Sequence, residues 1–118
     1  MLQALNTGHD GSMSTIHANG TADALTRLET LVLLADAGLP LVAVRAQVAA
    51  SVDAVVFLAR RVGGLRRVEG IAEVAVTPDE RVRPLFAWQS GALRPLGLPS
   101  RGPRRPDVAP ANLRWFRC

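Results

Sequence analysis

The residues best suited to chemistry lie in one run, Gly8-His9-Asp10-Gly11-Ser12-Met13-Ser14-Thr15-Ile16-His17-Ala18-Asn19. Two histidines stand eight positions apart, glycines bracket the dipeptide that begins with the first, and a threonine stands two before the second. Four readings compete for such a run. A metal site wants three or four ligands, and only His9, Asp10 and His17 are on offer. A serine hydrolase needs its nucleophile on a sharp elbow, and no G-x-S-x-G occurs. A plain loop would use the glycines for turn geometry and the histidines as polar caps. An anion sensor would aim imidazole and hydroxyl donors at a phosphate, where they stabilise charge that develops during phosphoryl transfer.

The elements around this run must position it. Residues 1 to 11 read as the end of one element and a turn-rich loop. Ser14 to His17 have the alternation of a short strand, closed by a turn at Asn19-Gly20. Thr21 is the expected N-cap of a helix running to about Ala37, with Leu25, Leu28, Val32 and Ala35 forming its apolar stripe. Gly38 ends that helix, and Pro40 opens a second one striped by Leu41, Val44, Val48 and Val52. The continuous apolar run Ala54-Val55-Val56-Phe57-Leu58-Ala59 predicts a strand buried on both faces. Gly63-Gly64 signals a hairpin. Its return strand places Val68, Gly70, Ala72 and Val74 on one face and Arg67, Glu69, Ile71 and Glu73 on a mostly solvated one. Val82 to Gln89 reads as a further strand. The order makes an α/β unit over residues 1–93.

Composition narrows the function classes. In 118 residues there is one cysteine, Cys118, at the last position, so an internal disulfide and a cysteine-based zinc site are excluded. No apolar run approaches the roughly 20 residues of a membrane-spanning helix, and no secretory leader pattern is visible. Tyrosine is absent and aromatics make up 4%, which argues against the base-stacking platforms of single-strand binders. All 14 basic residues are arginine. Residues 54–118 hold twelve of them against five acids, whereas residues 1–53 hold two against five. From Arg94 the chain carries six arginines, five prolines and one acid in 25 residues, the composition of an extended, disordered basic tail over 94–118.

The stretch Leu2-Gln3-Ala4-Leu5-Asn6-Thr7-Gly8-His9-Asp10-Gly11-Ser12-Met13-Ser14-Thr15-Ile16-His17-Ala18-Asn19 closely resembles the His box of the secretion ATPases, which power type II and type IV secretion, type IV pili and conjugation. Its wording is most similar to the tight-adherence (CpaF/TadA-type) branch. The segments around Ala24-Leu25-Thr26-Arg27-Leu28-Glu29-Thr30, Leu39-Pro40-Leu41, Asp53-Ala54-Val55-Val56 and Arg67-Val68-Glu69-Gly70-Ile71-Ala72-Glu73-Val74 fit in order and spacing. The resemblance spans roughly residues 1 to 90. It implies the C-terminal part of a RecA-like P-loop NTPase domain, working as a homo-hexamer with ATP and Mg2+ beside inner-membrane platform proteins, on the cytoplasmic side of the membrane. It also implies that His9 and His17 are the His-box histidines facing the γ-phosphate region. Gly11 and Thr15 would shape the strand that presents them, and Asp10 would sense nucleotide or cap the turn.

The departure from the family pattern is equally definite. There is no G-x-x-x-x-G-K-[ST] and no lysine at all, so a Walker A lysine is impossible in this chain, and the acidic boxes expected upstream are missing too. The expectation is therefore a fragment of an ATP-driven secretion, pilus or conjugation motor that is inactive alone, as a truncated gene, a late start or a split coding region would give. The alternative is a non-catalytic basic module whose arginine tail contacts nucleic acid or another anionic partner.

Overall fold

A computed structural model describes residues 13–35, 38–75, 77 and 80–100. The α/β class expected from the sequence holds. Two helices, α1 (Thr21–Ala35) and α2 (Leu41–Ser51), precede four strands, β1 (Ala54–Arg60), β2 (Arg66–Val74), β3 (Val82–Gln89) and β4 (Ala92–Pro95). The strands form one antiparallel sheet in the order β1-β2-β3-β4, each hydrogen-bonded to the next in sequence.

Local chemistry explains where α1 begins. The Ala24 amide donates to the Gly20 carbonyl, which makes Gly20 the residue that caps the first turn. The Asp23 carboxylate reaches back and accepts from the Asn19 amide at 2.8 Å, satisfying the chain just before the helix. Thr21, expected as the N-cap, is instead the first helical residue, one position after the capping Gly20. Pro40 caps α2 in an extended conformation, its fixed φ of −67° pre-set for helix entry. Leu25, Val44, Val48 and Val74 form the buried core, flanked by Leu28, Val32, Val52, Val55 and Val82. Each such aliphatic side chain contributes about 1.5–3 kcal/mol when fully buried. Ala35 and Leu41, at the ends of the two expected stripes, are exposed.

Four expectations change. Met13 to Ala18 form no strand: none of these residues pairs with the sheet. β1 is an edge strand whose residues alternate between exposed and half-buried, with Val56 and Leu58 open, so it is not covered on both faces. Glu73 is buried, not solvated, because Arg83 faces it across the β2–β3 pair. Finally, the chain turns once more at Ser90-Gly91 and returns as β4, so Arg94 and Pro95 lie in a strand. Residues 96–100 continue the packing: the Leu96 amide donates to the Leu85 carbonyl at 2.8 Å. The tail expected from Arg94 thus has its first seven residues, 94–100, in the folded unit, and 101–118 lie outside the described residues.

Two bulges adjust the sheet. Register shifts between Phe57 and Leu58 and between Ile71 and Ala72 leave Glu69 and Leu85 unpaired in their respective ladders. The first frees Glu69 for an ion pair at the hairpin. The second turns the Leu85 carbonyl toward Leu96.

Candidate functional site

Of the five residues singled out in the sequence, the structure places two. Thr15 and His17 lie on an exposed, extended segment that leads directly into the Asn19-Gly20 turn and α1. Neither side chain has a hydrogen bond or ion pair among the described residues, so both are available to groups beyond them. His9, Asp10 and Gly11 lie outside the described residues. The turn that ends the segment borders an open depression of about 240 Å³, lined by Gly20, Thr21, Phe57, Glu69, Gly70 and Phe86 among others. A Cβ at Gly70 would sit 3.5 Å from the Phe86 carbonyl, an ordinary contact.

Three ion-pair clusters fix the elements around this depression. Glu29 of α1 is 5% exposed and is gripped by Arg81 and, at 3.5 Å, by Arg45 of α2; Arg81 also donates to the Thr26 hydroxyl at 2.8 Å. A single carboxylate therefore ties both helices to the lead-in of β3. Glu73 accepts from Arg83 at 3.3 Å and from both the amide and the hydroxyl of Ser100, at 2.9 and 2.7 Å. Since Ser100 follows β4 and Glu73 lies on β2, residues 96–100 cross over β3 to reach it. Glu69 pairs with Arg61 through two hydrogen bonds across the hairpin. The Arg61 hydrogen bonds hold the Glu69 carboxyl below its ordinary value, and the same contact raises Arg61. Arg83 is raised through its hydrogen bond to Glu80.

Sequence reasoning missed Glu29 and Glu73 as buried carboxylates. The signal for Glu29 was present: it stands four after Leu25 and three before Val32, on the face that packs. Arg27 is exposed, as are Arg60 and Arg61 at the strand end.

Chemically, these groups do not make a complete nucleotide or metal site. Among the described residues no three His, Cys, Asp or Glu side chains cluster to hold a metal ion. Glu29, Glu69, Glu73 and Glu80 are paired with arginines, and the chain holds no lysine to meet a phosphate. What Thr15 and His17 offer is a pair of exposed polar groups with no hydrogen bond or ion pair among the described residues.

The family model for type II/IV secretion system proteins matches residues 1–85. This chain belongs to that family. Two Mycobacterium tuberculosis proteins named as conjugal transfer proteins, from strains CDC 1551 and H37Rv, are each 38% identical to it over 92 residues. The matched region covers 76% of this chain and 25% of each relative, so the chain spans about a quarter of the length of the proteins it matches. The match ends before the arginine-rich stretch, which leaves the alternative of a basic binding module without support from kinship.

Proposed function

We propose that this chain is the C-terminal part of an ATP-driven motor for secretion or conjugal transfer, most similar to the tight-adherence branch. The observation that carries the reading is the family match over residues 1–85, which includes the whole histidine-bearing run. In this reading the described unit is the end of a RecA-like domain that assembles as a homo-hexamer against inner-membrane platform proteins at the cytoplasmic face. His9 and His17 are its His-box histidines, Gly11 and Thr15 shape the segment that carries them, and Asp10 senses nucleotide or caps the loop.

The protein's own residues define a limited part in the chemistry. In this reading other parts of a longer protein hold ATP and Mg2+, since this sequence has no Walker A lysine and Glu29, Glu69, Glu73 and Glu80 already pair with arginines. The exposed imidazole of His17 and hydroxyl of Thr15 supply donors for a phosphate bound by other parts of a family-length protein. The α1 cap and the Glu29 bridge hold the end of that segment in place.

The test is a comparison of two proteins. The purified 118-residue chain should show no magnesium-dependent ATP hydrolysis above background. A family-length protein in which this chain supplies the C-terminal quarter should hydrolyse ATP. Hydrolysis by the short chain that survives removal of trace contaminants would contradict the reading, as would a longer protein that is inert.

A further inference from the structure

The β1–β2 hairpin ends in Arg60-Arg61-Val62-Gly63-Gly64-Leu65-Arg66-Arg67, an apolar tip bracketed by two arginine pairs. Arg60 and Arg66 are direct cross-strand partners. Like charges directly opposite each other destabilise a ladder, and neither arginine has an ion pair among the described residues. Arg61 is held by Glu69, and the Arg67 guanidinium lies 4.3 Å from the Trp88 ring centroid. The positive charge of Arg60 and Arg66 is thus left facing outward. Between the pairs, Val62 is fully exposed and Leu65 is 66% exposed, on glycines with φ of +88° and +81° that make the turn tight. Leu58 and Val56 extend the open apolar surface back along β1.

We propose that this hairpin tip is a docking surface for an anionic lipid bilayer. A bilayer is the partner that answers both features at once. Its phosphates meet Arg60 and Arg66, and its headgroup–acyl boundary receives Val62 and Leu65. Trp88, amphipathic and stacked under Arg67, has the character of residues that sit at such boundaries. A nucleic acid would satisfy the arginines but leave the two exposed aliphatic side chains unrewarded. The contact is one of surface attachment, since no helix among the described residues is long and apolar enough to cross a membrane. The inference deepens the membrane-side placement proposed above; vesicle binding and ATP turnover fail independently of each other.

The experiment is co-sedimentation of the full 118-residue chain with vesicles of phosphatidylcholine mixed with phosphatidylglycerol, against vesicles of phosphatidylcholine alone. Binding should require the anionic lipid. The double variant Arg60→Gln/Arg66→Gln should bind about 25-fold more weakly, roughly fivefold per arginine. Val62→Ser/Leu65→Ser should lose about tenfold through the apolar contact. The arginines beyond residue 100 are untouched in both variants, so the losses report the tip. The tip side chains lie outside the core, and far-UV circular dichroism checks that the variants fold. As a gain-of-contact arm, Val62→Trp should bind at least as tightly and shift its emission to the blue on anionic vesicles. Parent-like binding by either double variant, or an unshifted emission from Val62→Trp, would overturn the proposal. So would preferential binding of duplex DNA that depends on Arg60 and Arg66 and ignores the Val62 and Leu65 changes.

Discussion

Glu29 shows how much of this unit hangs on single side chains. Its carboxylate is buried between Arg81 and Arg45, and Arg81 in turn holds Thr26. Replacing it with alanine removes the charge that two half-exposed guanidiniums share and opens a gap beside α1. Because both arginines can turn to water, the cost falls below that of a fully buried pair: Glu29→Ala should lower the unfolding free energy by about 2 kcal/mol. Urea denaturation followed by tryptophan fluorescence would measure it, and a change under half that size would show that the bridge is ornamental.

Glu69 carries a pH signature at the same scale. Its folded-state pKa lies below the ordinary value of 4.5 because Arg61 donates to the charged form. A lowered carboxylate stabilises the fold above its unfolded pKa, and that stability disappears as the pH falls from about 4.5 through the lowered value. The thermal midpoint should therefore drop on acidification in this window, and Glu69→Gln should flatten part of that drop. An identical acid profile for parent and variant would mean the hairpin ion pair does not couple to folding.

At the level of elements, periodicity made both helices, β1, the glycine hairpin and β3 legible before any coordinates. Val82–Gln89 appears with the expected bounds, and the core residues Leu25, Val44 and Val48 stand in the expected stripes. Three features escaped for physical reasons. The alternation of Ser14 to His17 suits a strand, but a strand exists only where a neighbour supplies its hydrogen bonds, and none does among the described residues. The apolar run of β1 gave no sign that it would lie at a sheet edge, since edge or centre depends on topology and not on composition. β4 was hidden by the arginines and prolines that follow it, although Ser90-Gly91 was a usable turn signal.

That turn supports a direct stability test. Gln89 and Ala92 pair, leaving Ser90 and Gly91 as a two-residue loop with φ of +49° and +82°. A loop with both residues at positive φ is the mirror-type turn that matches strand twist and favours Asn-Gly. Ser90→Asn should accordingly raise stability by about 0.5 kcal/mol. Thermal denaturation would detect it, and a loss of stability would show that the serine has a role beyond the turn.

The whole chain is a partial object within its family. It spans a quarter of its mycobacterial relatives, carries the histidine-bearing run and lacks the lysine that would grip a phosphate. The candidate site was legible only in part. His17 and Thr15 emerge as exposed and uncommitted, while His9, Asp10 and Gly11 lie outside the described residues. Among the described residues no cluster of His, Cys, Asp or Glu closes a site for spacing or geometry to reveal. In the motor reading proposed above, His17 acts on the reacting phosphate and does not simply hold nucleotide. The measurement that tests it is steady-state ATP hydrolysis by the family-length protein with His17→Ala. Losing one donor placed where charge develops costs about 3 kcal/mol of barrier, so kcat should fall roughly a hundredfold while KM stays nearly unchanged. A raised KM with kcat intact would make His17 a ground-state binding group and contradict the account.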